Sequence, residues 1–277
     1  MGIKARARAS RTVTYLILLL GSVIMLIPFF WMILTSFKTY KETVTLPIVW
    51  LPAHWRFDNY LEVLGKLDFA RYYGNTILVT LLTVTGMTFI ASLAAFTFAR
   101  MEFPGRNSLF AVLLLVYMVP PQMTMIPKYM MIARFGWVDT LAGIIVPNLF
   151  SVYTMFMLRQ FYAALPRDLD DAAKIDGCSF FRIFWRIDQP LCKNGLIAIT
   201  VLNVLWAWND LLWPLIATST DRMRVLSVAI ATLQNTNGTE YQLLMAAGVL
   251  AVLPMLAMYA VCQKYFMEGI AFSGSKG

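Results

Sequence analysis

The chain has 277 residues, 59% hydrophobic and only 14% charged, with a formal net charge of +8. Soluble domains carry about a quarter charged residues, so this composition excludes a water-soluble globular fold and makes lipid part of the solvent. The 23 Lys and Arg residues are scattered at the ends of apolar runs, which excludes a nucleic-acid face and fits membrane flanks and contacts to anionic lipid.

A span needs about 20 mostly apolar residues to cross the hydrocarbon core. Six runs reach that length: residues 12–35, 75–98, 109–131, 141–162, 195–217 and 243–266. The expected architecture is an all-α polytopic membrane protein, with six transmembrane helices in a single domain over residues 1–277. Lys4, Arg6, Arg8 and Arg11 precede the first run as in a signal peptide. That run is too long for one and no A-x-A site follows, so it reads as a retained first span. Residues 36–74 are amphipathic and aromatic (Trp50, Trp55, Tyr60, Phe69, Tyr72, Tyr73) and are expected to lie on the membrane surface.

Pro120, Pro121, Gln122 and Pro127 interrupt the third run, which predicts a kinked or broken span. The backbone groups freed by such a break must face protein or a wet cavity. With the N-terminus inside, 14 of the Lys and Arg residues fall on inner segments and 9 on outer ones. Both termini are therefore expected in the cytoplasm.

Between the fourth and fifth runs lies a polar stretch, residues 165–194, that reads as two short helices. Pro166 starts the first, Asp168, Asp170 and Asp171 suit its positive end, and Gly177 can take the left-handed conformation that stops it. Ser179 caps the second, which is expected to run until Pro190 ends it. Phe180, Phe181, Phe184 and Trp185 give that helix an apolar stripe. On these features alone the hairpin either docks a partner or covers the base of its own bundle.

Ionisable groups inside membranes are functional candidates by default. In the fifth run Trp208, Asn209 and Asp210 either join helices through hydrogen bonds or line a saccharide path; helix joining is the stronger reading from the residues alone. Gln122 and Asn148 leave the same two alternatives open. The Thr76, Thr80, Thr83 row fits either a seam or a pore. One histidine and three cysteines supply no metal cluster or disulfide framework. No G-x-x-x-x-G-K-[ST] phosphate loop occurs, so any ATP chemistry is expected on another chain.

The stretch Asp171-Ala172-Ala173, then Gly177, Ile187 and Pro190, resembles the cytoplasmic signature of ABC-importer permeases: EAA, three residues, Gly, nine residues, Ile, one residue, Leu, Pro. Asp176 and Phe184 fit common usage in that family, and Asp171, Gln189, Cys178 and Asn194 depart from its usual Glu, Leu, Ala and Pro. Asn59-Tyr60, Tyr73 to Thr76, Phe103 to Arg106, Leu158 to Phe161 and Trp208 to Pro214 are similar to carbohydrate permeases of the maltose and glycerol-phosphate type. So are Ile126-Pro127, Leu243 to Ala247 and the tail from Gly269 to Gly277.

The resemblance implies the smaller six-span permease subunit, a type I ABC importer fold and no enzymatic activity. It implies that Asp171, Ala172, Ala173, Asp176, Gly177, Phe184, Ile187 and Pro190 couple to an ATPase. It implies that the tail Gly274, Ser275, Lys276 and Gly277 touches the ATPases, and that Asn235, Thr236, Asn237, Gly238 and Thr239 meet a binding protein. The implied partners are a homologous permease subunit, two ATPase subunits carrying ATP and Mg, an extracytoplasmic solute-binding protein and membrane lipid, in a prokaryotic cell membrane. The alternative is an ATP-independent secondary transporter or channel.

Overall fold

The computed structural model describes residues 3–234 and 238–274. The described residues form helices and turns, with no strand among them. Three helices are long and apolar enough to cross a membrane: Arg11–Ser36, Phe69–Arg100 and Tyr241–Gln263. Three bent pairs bring the number to six if each pair crosses as one span.

The chain divides into two compact units. The first comprises Met1–Asp68 and Ile230–Pro254. Helix α1 (Ile3–Ser36) is followed by two short helices, α2 (Tyr40–Val44) and α3 (Asp58–Lys66). The segment after α1 folds back onto the helix end through buried polar contacts. Asn59 Nδ2 donates to the carbonyls of Ser36 and Lys38 at 2.8 and 2.9 Å. Lys38 gives its Nζ to the Val49 carbonyl at 2.6 Å and sets it over the Trp31 ring. Phe37 packs against Trp55, Phe57 and Tyr60. Residues 36–68 are thus a small folded cap in which the aromatics pack on one another. Lys66 pairs with Glu240 at 2.5 Å within the same unit.

The second unit comprises Phe69–Ala229 and Met255–Gly277. Its axis is α4 (Phe69–Arg100), 32 residues without a break. Ala91, Ala95 and Ala99 recur every fourth residue on one buried stripe of α4. Small residues at that spacing let a second helix come close, which is how helices associate where lipid supplies no hydrophobic drive. Both α8 (Val152–Ala164) and α12 (Lys193–Asn209) pack on α4. Gly195 of α12 lies so near Phe161 that a Cβ there would stand 2.6 Å from the ring.

The remaining apolar runs are interrupted. α5 (Arg106–Tyr117) turns by 93° through a 3-10 turn, Pro121–Thr124, into α6 (Met125–Arg134). The fourth run, expected as one span over 141–162, is α7 (Leu141–Ile145), a 3-10 turn at Val146–Asn148 and α8, bent by 44°. Pro147 has no N–H for the Gly143 carbonyl, and that carbonyl instead accepts from Trp213 Nε1 at 3.2 Å. The fifth run, expected unbroken over 195–217, ends its helix at Asn209. Asp210 is extended, and the short α13 (Leu212–Ala217) follows. Pro214 likewise has no N–H for the Asp210 carbonyl, which accepts from Ser227 Oγ at 2.7 Å. Both of these freed carbonyls find a side chain from another segment, as burial requires.

The polar hairpin holds α9 (Arg167–Ile175) and α10 (Phe180–Ile183), then a π-turn over Phe184–Asp188 and the three-residue α11 (Gln189–Leu191). Pro190 therefore does not end the second helix. The wider turn before it accommodates the missing donor, and an 81° bend at Cys192 leads into α12. Helices α14 (Leu226–Ala231) and α15 (Tyr241–Gly274) complete the chain.

Candidate functional site

The turn between α9 and α10 is built by local chemistry. Cys178 N donates back to the Ala173 carbonyl at 2.9 Å, and Gly177 N to that of Lys174 at 3.0 Å. This closure needs a residue at positive φ, and Gly177 sits at +77° with nothing within 4 Å of a Cβ there. A left-handed conformation costs an ordinary L-residue about 1–2 kcal/mol. Ser179 Oγ accepts from Arg182 N at 3.4 Å and starts α10.

The signature residues split into two sets. Asp171, Ala172, Asp176, Gly177 and Pro190 are exposed, and Asp171 pairs within its own helix with Lys174 at 3.1 Å. Ala173 and Phe184 are buried, with Ile187 partly so. Phe184 is 1% exposed and packs edge-on against Phe96, beside Tyr162. It anchors the hairpin to α4 and α8 and presents nothing outward, so the expected apolar stripe reduces to Phe180, Phe181 and Trp185 at the surface. A cleft of about 320 Å³ beside the turn is lined by Arg100, Glu102, Arg167, Asp170, Asp171, Lys174 and Phe180.

Two residues that sequence reasoning missed lie beneath this turn. Arg100, the last residue of α4, has a side chain 2% exposed, with Nε 3.2 Å from both Asp170 Oδ2 and Asp188 Oδ2. Its other nitrogens donate to the Leu165 and Pro166 carbonyls at 3.0 and 3.2 Å. Burial, and then the charge of Asp170, push the Asp188 carboxyl above the usual carboxylate range. The available signal was an arginine at the foot of an apolar run with two acids ahead of it in a loop; spacing alone does not pair them.

The expected path residues are not gathered in one place. Asn148, Trp208 and Asp210 line a cavity of about 10 Å³ with Thr76 and Thr83. Gln122 lies in the 3-10 turn, and Asn209 folds its amide onto the Leu205 carbonyl at 2.8 Å; neither lines that cavity. Asp210 Oδ1 accepts from Trp213 N at 3.4 Å and so caps α13. Lys128 donates to Asn148 Oδ1 at 2.7 Å, with its ammonium 4.1 Å from the centre of the Trp213 ring.

A larger cavity of about 750 Å³ opens where the third and fourth runs break, lined by residues 116–121, Thr124, Asn148, Phe150, Ser151, Val152, Tyr153, Leu202, Asn203, Trp206 and Met87. Tyr117 and Tyr153 stack at 6.2 Å, and Thr154 Oγ1 donates to Asn203 Oδ1 at 3.0 Å. Of the expected path residues, this cavity takes only Asn148. Asn203, an amide in the middle of an apolar run, was the legible signal for it. Gly238 is at positive φ and Gly274 ends α15; Asn235, Thr236, Asn237, Ser275, Lys276 and Gly277 lie outside the described residues.

Residues 87–271 match the family described as binding-protein-dependent transport system inner membrane component. The chain belongs to that family. It is a permease subunit of a transport system, set in the inner membrane, and not an enzyme. The permease is similar over most of its length to curated relatives. It is 34% identical to the arabinooligosaccharides transport system permease protein AraQ of Bacillus subtilis (strain 168), over 92% of each chain. With the diacetylchitobiose uptake system permease protein NgcG of Streptomyces coelicolor it shares 32% over 99% of its own length and 92% of that protein's. Its fold matches a chain of a bacterial ABC transporter involved in the import of the acidic polysaccharide alginate. The TM-score is 0.81 at 21% identity, over 96% of this chain and 99% of the other.

Proposed function

We propose that this permease is half of the gate of an ATP-driven importer for a carbohydrate. It pairs with a homologous permease subunit, sits on two ATPase subunits that bind ATP and Mg, and receives its solute from an extracytoplasmic binding protein. The observation that carries this reading is the exposed Asp171–Gly177 turn, offering a small residue, Ala172, and a backbone held open by Gly177. Phe180, Phe181 and Trp185 lie exposed beside it. Such a surface suits a partner that approaches the main chain closely, and the buried Ala173 and Phe184 fix it to the bundle.

Both termini face the cytoplasm in this reading. The tail 274–277 reaches the ATPases, and the 235–239 loop meets the binding protein. The carbohydrate class is supported by the named uptake systems of the relatives and by the larger cavity. That cavity of about 750 Å³ is within the 300–1,000 Å³ usual for small-molecule sites. It combines the Tyr117–Tyr153 pair and Trp206 with Asn148, Asn203 and Ser151, faces for sugar rings beside groups for their hydroxyls.

The test is co-expression with the neighbouring permease and ATPase genes, with uptake measured in membrane vesicles. Complex formation and ATP-dependent uptake are expected, and Gly177→Asp should abolish uptake. Uptake that proceeds without ATP would favour a secondary transporter or channel. The sugar is named by mass spectrometry of the cargo on the cognate binding protein.

A further inference from the structure

Buried ion clusters are a poor source of net stability, because the cost of desolvation offsets the attraction and apolar packing does as well. The cluster at Arg100 is poorer than most. One guanidinium stands between two carboxylates, and Asp170 Oδ1 and Asp188 Oδ1 are buried with no hydrogen-bond partner among the described residues. What the arrangement does supply is direction. A planar fork of donors fixes its partners at set angles, and here those partners lie on three different segments. Asp170 belongs to α9, beside the exposed turn, and Asp188 to the π-turn; the Leu165 and Pro166 carbonyls belong to the link from α8 into α9. All are tied to the last residue of α4.

The other end of α4 is tied as firmly. Asn75 Nδ2 donates to the Arg222 and Arg224 carbonyls at 2.9 and 2.8 Å, and Leu226 N donates to Thr76 Oγ1 at 2.8 Å. Between these ties, from Asn75 to Arg100, α4 runs unbroken, about 38 Å at 1.5 Å per residue. The third, fourth and fifth apolar runs, by contrast, are all bent or interrupted, so a displacement applied to their ends is absorbed at the breaks.

We propose that Arg100 is a positioning residue that locks the α9–α10 turn to α4, making α4 the rod that carries a displacement of that turn to the 222–226 loop. On its way the rod passes both cavities, through Thr76, Val79 and Thr83 at the smaller one and Met87 at the larger. Motion of the turn and the shape of the path are then one movement. The proposal rests on the reading of the turn as an ATPase contact.

The experiment uses the full transporter in proteoliposomes with its binding protein. It reads uptake and the ratio of binding-protein-stimulated to basal ATP hydrolysis. Arg100→Lys keeps the charge but not the fork; the ratio is expected to fall at least 10-fold with the complex intact. If Arg100→Lys keeps the wild-type ratio, the residue only compensates charge and the proposal is overturned. The triple variant Arg100→Met, Asp170→Leu, Asp188→Leu replaces the cluster with apolar bulk. It should assemble yet remain uncoupled, and normal coupling in it overturns the joint.

If neither variant assembles, Asn75→Ala decides at the far end of α4. A drop of at least 3-fold in the ratio supports the rod, and an unchanged ratio overturns it. Should the wild-type chain form no complex with the ATPase, the docking reading itself fails, an outcome distinct from any of these.

Discussion

A Cβ added at Gly143 would stand 2.2 Å from the Trp137 carbonyl oxygen, a backbone atom with no rotamer to move away through. At Gly195 the obstacle is the Phe161 ring, at 2.6 Å. Overpacking typically costs about 1–3 kcal/mol. Gly143→Ala is expected at or beyond the top of that range and Gly195→Ala within it, read as lowered thermal transitions of the purified chain. The cysteines offer a test that needs no stability measurement. Burial, with Asp188 adding to it, pushes the Cys192 thiol up to about 12, so almost no thiolate exists at pH 8. Cys178 is half-buried at the hairpin turn. Maleimide should label Cys178 and spare Cys192 in intact membranes, and bound ATPase should protect Cys178. Labelling of Cys178 that is indifferent to the ATPase would argue against the docking reading. In the cap at residues 36–68, hydrogen bonds from Thr39 N and then Ala53 N hold the Glu42 carboxyl below its usual value of 4.5. A depressed folded-state value means that this contribution to stability is full above pH 4.5 and is lost as the pH falls through the lower, folded value. The protection of the Thr39 and Ala53 amides against exchange, relative to the intrinsic rate at each pH, should therefore fall on acidification below pH 4.5, and Glu42→Gln should remove that pH dependence.

The stripe Ala91, Ala95, Ala99 sets how near α8 approaches α4. Ala95→Leu is expected to cost about 1–3 kcal/mol and to lower yield in the membrane, whereas Leu81→Ala on the exposed side of α4 should do neither. That stripe was open to reading, since small residues four apart in an apolar run mark a contact face. The α9–α10 turn was legible for a similar reason, because Pro166, Gly177 and Ser179 act on their immediate neighbours. The breaks at Pro147 and Pro214 were not. Hydropathy sums side chains over a run and is blind to which carbonyl has lost its donor. Whether a helix continues there depends on Trp213 Nε1 and Ser227 Oγ arriving from elsewhere in the chain. The burial of Phe184 and Arg100 was hidden in the same way, because each is decided by a partner 65 to 88 residues away.

Within this chain α1 buries none of its most apolar stretch, and the corresponding stretch of α15 buries 11%. Apolar surface of that extent is covered by lipid or by another subunit, so the permease should be more stable in company than alone. Co-purification with the homologous subunit is expected to raise the thermal transition over that of the isolated chain in the same detergent. The isolated chain should hydrolyse no ATP.

One feature of the bundle bears on the energetics of the cell. The cavity at Thr76, Asn148 and Asp210 has about 10 Å³, space for a single water. A file of waters long enough to pass protons or sodium does not fit there. At that level of the bundle the described residues are therefore closed to a water file, and the larger cavity of about 750 Å³ is a separate space. In the proposed importer, that closure keeps ATP spent on cargo from being lost at this level as leaked membrane potential.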